Sequence, residues 1–196
     1  MDEAAAQREA PESWTSVTLR PYAWDERPDL IEPADALMTR AWHPFMRQDA
    51  VATTHWDKFA SWFSAFQVVL CDPCDRVVAE GNTIPIAWDG TMSMVPAGWD
   101  AALDRGVGDY AAHRTPSTLA ALAATVDPDC QGHGISRLLL EEMRNLAARH
   151  GLRDLIAPVR PWLKCCYAQS LAATRRHGVH GAPVCSVCGI SAASAG

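Results

Sequence analysis

The residues with the clearest chemical potential form a turn, Cys130-Gln131-Gly132-His133-Gly134-Ile135-Ser136. Two glycines just ahead of a predicted helix allow backbone to approach a ligand closely, and both tolerate positive φ. The first amides of a helix have no partner inside it and point outward, which makes such a turn a receptor for a phosphate or pyrophosphate. The flanking sequence supplies the elements that would hold it. Thr118 to Val126 is apolar and uncharged, reads as a strand and is ended by Asp127-Pro128-Asp129. After the turn, Arg137 to His150 reads as a helix. Its apolar positions Ile135, Leu138, Leu139, Met143, Leu146 and Ala147 follow three-and-four spacing. Gly151 stops it, with Arg149 and His150 at the negative end of the dipole, and Leu152 to Val159 reads as a second strand broken by Pro158.

Three anion-binding motifs share this layout. A P-loop needs Lys and Ser/Thr directly after its last glycine, but Gly134 is followed by Ile-Ser-Arg. A dinucleotide fingerprint needs a small residue at the position held by Arg137 and an acid at the far end of the next strand. Asp154 stands near that strand's beginning. The third pattern is Gln/Arg-x-x-Gly-x-Gly/Ala, and Gln131 to Ser136 matches it except for Ser at the last small position.

On this match, in its strand–turn–helix–strand setting, the block from Ala124 to Met143 resembles motif A of the GCN5-related N-acetyltransferases (GNAT). The resemblance implies an α/β fold of the α+β type, with a mixed, mostly antiparallel central sheet flanked by helices. It implies acetyl-CoA, or another acyl-coenzyme A, as co-substrate. Gln131, Gly132, His133, Gly134, Ile135 and Ser136 would hold the pyrophosphate. The acyl group would lie near Ala124 to Val126, against Thr125 and Val126. The implied activity is transfer of the acyl group to an amine, on a small molecule or a peptide, by direct attack on the thioester. The alternatives are a noncatalytic acyl-CoA-binding or sensing module, and a structural protein that binds zinc or a partner through its tail.

Composition narrows the class. A chain of 196 residues that is 48% hydrophobic has the size of one domain with a real core. A net charge of −6 argues against nonspecific nucleic-acid binding. No apolar run reaches membrane-spanning length, and Met1 to Pro11 lacks a signal-peptide core, so the default location is cytoplasmic. The seven scattered cysteines then argue for reduced thiols. Of the eight tryptophans, most are expected in the core, with lining of a substrate cleft the alternative for some.

Residues 1–16 read as a disordered leader, 17–164 as the acyl-CoA-binding domain, and 165–196 as a divergent, poorly ordered Cys-rich tail. Val17 to Tyr22 reads as a first strand and Ala34 to Trp42 as a helix begun by Pro33. His55 to Phe66 reads as a second helix, its aromatic stripe Trp56, Phe59, Phe63 and Phe66 facing the core. Gln67 to Cys71 and Arg76 to Ile86 form a hairpin around Asp72 to Asp75, in which Cys71 and Cys74 are an incidental pair. Ala87 to Arg114 is a long connection with a short helix over Asp100 to Tyr110, and is expected to shape the acceptor pocket. Past Lys164 the sequence departs from the family. It reads as a frameshifted or degraded end with at most a weak helix to Arg176, or as a metal knuckle of Cys165, Cys166, Cys185, Cys188, His177 and His180. No metal is expected at the acyl-CoA site itself.

No catalytic residue is assigned. Glu80, His55 and His113 are candidate bases, with a solvated strand carboxylate or an ordinary surface imidazole the commoner role for each. Tyr167 stands near the place of the family's general acid, but within the divergent tail. Cys130 borders the anion turn, and direct transfer needs no covalent enzyme intermediate.

Overall fold

The computed structural model describes residues 17–44 and 48–158. Strands β1 (Arg20–Ala23), β2 (Gln67–Cys71), β3 (Val77–Ile86), β4 (Thr118–Val126) and β5 (Asp154–Ile156) lie side by side in chain order. The first four are antiparallel and β5 runs parallel to β4. Helices α1 (Ile31–Ala41), α2 (Ala50–His55), α3 (Asp57–Ser61) and α4 (Trp99–Ala111) precede β4, and α5 (Ile135–Arg149) joins β4 to β5. This is the mixed, mostly antiparallel sheet flanked by helices that the resemblance implies. The leader, the strand beyond Pro158 and the whole Cys-rich tail, with Tyr167 and its zinc-type ligands, lie outside the described residues.

Sequence explains why β2 and β3 sit in the middle. Both are buried along their whole length, because helices cover each face, and in β3 the burial takes in the polar Glu80, Asn82 and Thr83 as well as the apolar residues at both ends. The hairpin between them closes on Asp72, whose Oδ1 accepts from the amides of Cys74 and Arg76. On one face, α1, α3 and α4 pack Leu37, Phe59, Phe63 and Leu103 against Val69, Ile84, Ile86 and Leu122. On the other, α5 packs Ile135, Leu139, Met143 and Leu146 against Val68, Leu70, Val78 and Leu119.

Several elements depart from the sequence reading for local reasons. The strand read from Val17 begins at Arg20. Helix α1 starts before Pro33, because a first-turn residue needs no amide. The aromatic helix read over 55–66 is two short helices and a 3-10 turn. Asp49 caps the first by accepting from the amides of Val51 and Ala52. Phe59 and Phe63 are core residues, with Trp56 and Phe66 packed on them, whereas Trp62 is exposed and stacks on Tyr110 at 4.9 Å. Leu138 is exposed, because the buried stripe of α5 runs Ile135, Leu139, Met143 and Leu138 lies to one side of it.

The tryptophans also depart from expectation. Among the described residues Trp24 alone is fully buried, while Trp42, Trp56, Trp88 and Trp99 are half-buried. An indole N–H needs an acceptor, and Trp42, Trp88 and Trp99 each find one where ring and polar group can both be served.

At Gly81, in the middle of β3, an added Cβ would stand 2.9 Å from Val68 Cγ1 and 3.3 Å from Leu139 Cδ1, and would also meet Met143. Gly81→Ala is therefore expected to lower stability by about 1–3 kcal/mol through overpacking. Urea unfolding should show a lower midpoint at unchanged slope.

Candidate functional site

The turn 131–136 is built from below. Asp127 is buried at the end of β4. Its amide donates to Val78 O at 2.9 Å and its Oδ1 accepts from the Asp129 amide at 3.0 Å, which bends the chain into a 3-10 turn over Pro128–Cys130. From α1, the exposed Arg40 reaches the other Asp127 oxygen at 2.5 Å. Ile135, 3% exposed, ties the start of α5 into the core. Between these fixed points the backbone must turn sharply. It does so through Gly132 (φ 82°) and Gly134 (φ 78°), both in the left-handed region that side chains resist.

Gln131 to Gly134 are consequently exposed, and Ser136 is half-exposed. Nothing lies within 4 Å of where a Cβ would stand on either turn glycine. The amides of Gly134, Ile135 and Ser136 donate to nothing among the described residues. Open space, unpaired amides and the positive end of α5 thus coincide, which is the arrangement a diphosphate requires. The ring of His133 and the side chain of Ile135 add little, one exposed and the other turned into the core; at both positions it is the backbone that faces the open side.

β4 changes character along its length. β5 pairs only with Thr118, Leu119 and Ala120, so the edge from Ala121 to Val126 has no strand partner among the described residues. Opposite β3, the register shifts between Asn82 and Thr83, leaving Leu122 as an extra residue in a β-bulge. Two tryptophans clip onto this freed stretch. Trp42 Nε1 donates to Thr125 Oγ1 at 2.9 Å, and Trp99 Nε1 donates to Leu122 O at 2.8 Å. Thr125 is thereby fixed from the α1 side, and Val126 stays half-exposed.

Under the same stretch lies Glu80, the cross-strand partner of Thr125. It is fully buried, not the solvated strand carboxylate expected. β3 is flanked by β2 and β4, and α1 packs over this face. Asn82 Nδ2 donates to Glu80 Oε1 at 2.8 Å, while Glu80 Oε2 and Asn82 Oδ1 are buried without a partner among the described residues. Burial, with a smaller contribution from Asp35 on α1, pushes the Glu80 carboxyl up to about 7 against the bond from Asn82.

The other candidates are scattered. His55 Nε2 bonds Asp104 at 3.0 Å on the α2–α4 surface, and His113 is an exposed turn residue with φ 52°. Cys130 is buried beneath the turn. Burial pushes its thiol to about 11, with Asp127 adding to the rise and Arg76 opposing it, which leaves it un-ionised and inert at neutral pH. Cys71 is buried and Cys74 exposed. No cluster of three metal-ligating side chains occurs among the described residues. Asp154, the acid weighed for a dinucleotide site, pairs with Arg153 at 2.8 Å beside the start of β4. Two open depressions of about 380 and 500 Å³ also gather around the start of β4 and the end of α5, away from the turn.

Solved structures similar to the chain include the loading GNATL domain of CurA from Lyngbya majuscula. It shows 17% identity over 72% of this chain and 63% of that one, with a TM-score of 0.49. YhbS, a GNAT family N-acetyltransferase from Escherichia coli solved with CoA, shows 14% identity over 81% of this chain and 71% of that one, with a TM-score of 0.49. A GNAT family acetyltransferase from Brucella melitensis, solved with acetyl-CoA, shows 13% identity over 76% and 81%, with a TM-score of 0.47. The chain spans less than two thirds of the CurA domain's length. No protein-family model and no curated protein matches it. Among the described residues no helix is long and apolar enough to cross a membrane.

The sequence reading missed Arg40, Trp42, Asn82 and Trp99. The partners of Arg40, Trp42 and Trp99 lie 23 to 87 residues away, beyond any spacing rule, whereas Asn82 and Glu80 are two apart on one strand and could have been read as a same-face pair.

The raised pKa of Glu80 has a consequence for stability. Between pH 4.5 and about 7 the folded protein keeps a proton that the unfolded chain releases, so stability falls as pH rises through this window and then levels. Glu80→Gln should remove the slope. In thermal unfolding it should gain over the parent at pH 8, by at most ~3 kcal/mol at ~1.4 kcal/mol per pH unit, and show no gain at pH 4.

Proposed function

We propose that the chain binds acyl-coenzyme A at Gln131, Gly132, His133, Gly134, Ile135 and Ser136, with the pantetheine arm along the free edge of β4 past Val126 and Thr125. On this reading it transfers the acyl group, acetyl in the simplest case, to an amine. The observation that carries this reading is the coincidence of the unpaired amides of Gly134 to Ser136 with open space over both turn glycines. The unpaired edge of β4 runs into that turn and offers main-chain groups to the amide units of pantetheine.

The chemistry is a direct displacement. The neutral amine nitrogen attacks the thioester carbonyl, the C–N bond forms, the C–S bond breaks, coenzyme A leaves as thiol and the amine loses one proton. Main-chain amides near the β4 bulge would stabilise the oxyanion as it develops. Glu80 is sealed beneath α1 and meets no acceptor space, so it is not assigned as the base. The acceptor is taken to be a small-molecule or peptide amine, and no metal takes part in this scheme.

Titration calorimetry with acetyl-CoA tests the site. The parent protein should bind, and Gly134→Trp should lose binding, because its indole would fill the space over the unpaired amides. Gly134→Asn, a residue that tolerates a left-handed backbone, should retain most of it. Equal affinity in the parent and Gly134→Trp would remove the assignment, and absence of binding by the folded parent would remove the function.

A further inference from the structure

Trp99 begins α4, the helix inserted between β3 and β4, and its ring is half-buried against the core of that face. Its N–H closes on the carbonyl of Leu122, the extra residue of the β4 bulge. That carbonyl needs a partner because the bulge interrupts the ladder. The strand around it is built of small residues: Ala120, Ala121, Ala123 and Ala124 flank Leu122. Of these, Ala120 shares with Leu122 the face against which the indole packs, whereas Ala121 faces α5.

Length places this contact relative to the turn. A pantetheine arm of about a dozen single bonds of ~1.5 Å reaches roughly 15 Å when extended. A strand rises ~3.3 Å per residue, so the same distance covers about four to five residues of β4. Measured back from Val126, where the strand enters the turn, the thioester would fall beside Leu122. It would not fall at Thr125, where the acyl group is placed when read from sequence.

We propose that Trp99 is the residue that limits acyl-chain length: its indole, locked onto the Leu122 carbonyl, forms the end wall of the acyl compartment and restricts the protein to short acyl groups. The inference rests on the acyl-CoA reading above and extends it to specificity. The hydrogen bond is what makes the wall rigid. A ring held only by packing would swing aside for a longer chain, whereas this one must first abandon a carbonyl that has lost its ladder partner.

The test is calorimetric binding of CoA, acetyl-CoA, butanoyl-CoA and octanoyl-CoA to the full chain and to Trp99→Ala, Trp99→Leu and Trp99→Phe. The parent should bind octanoyl-CoA at least ~10-fold more weakly than acetyl-CoA, the scale of discrimination an apolar wall gives. Trp99→Ala should bring the two within about 3-fold of each other, whatever its effect on the affinity for CoA itself. Trp99→Leu keeps apolar bulk and should give an intermediate ratio even if the alanine variant does not fold. Trp99→Phe, which keeps the wall and loses the hydrogen bond, should narrow the discrimination without abolishing it. Equal affinity of the parent for acetyl- and octanoyl-CoA, or unchanged discrimination in folded Trp99→Ala or Trp99→Leu, overturns the proposal while leaving the acyl-CoA site standing. Failure of the folded parent to bind CoA itself overturns both.

Discussion

The structure depends on an unfinished helix. α5 is held in the sheet by Ile135 from its first residue, yet the chain must arrive there from Asp127, itself fixed beneath the surface. Only a backbone passing through left-handed φ at Gly132 and Gly134 joins these two points in so few residues. The result is a helix start that cannot be capped by its own preceding chain. Its amides are left facing outward with the dipole behind them. A side chain at either glycine would add strain and, if large, occupy the approach.

The two faces of the sheet divide the work. The α5 face is apolar and tightly packed: Gly81 lies directly under Met143 and Leu139, so α5 sits close to β3 and the turn is held at a fixed distance from β4. The α1 and α4 face carries the polar groups near the end of β4. Arg40 and Trp42 come from one helix, Trp99 from another, and Glu80 and Asn82 lie in the strand beneath. The bonds of Arg40, Trp42 and Trp99 end on Asp127, Thr125 and Leu122, so the end of β4 and the residue after it are held at successive points, while the edge from Ala121 has no strand partner among the described residues.

Glu80 and Asn82 run against the usual economy of a core. Two buried polar atoms without partners are costly. Raising the carboxyl toward neutrality lessens the cost by removing the charge, and Asn82 satisfies one oxygen. The pair sits opposite the bulge and Thr125, the stretch where β4 is least regular.

The sequence by itself determined the local features. The hairpin at Asp72 to Asp75, the run of β4, the turn glycines, the buried stripe of α5 and its stop at Gly151 all follow from residue type and spacing, because each depends on neighbours a few positions away. The glycine turn was legible for the same reason, its open amides being a property of one short segment. What needed the tertiary structure was everything set by distant contact. The aromatic stretch read as one helix breaks in two, because Asp49 caps the chain early and Gln67 Nε2 bonds the Phe63 carbonyl at the edge of β2. Glu80 reads as an ordinary strand carboxylate until β2, β4 and α1 close over it. Trp42 reads as the end of a helix and Trp99 as part of a long connection, and only the folded chain brings them to Thr125 and to the Leu122 carbonyl. Sequence patterns record periodicity along the chain. The partner of a buried polar atom is fixed by how strands and helices stack, and leaves no period to read.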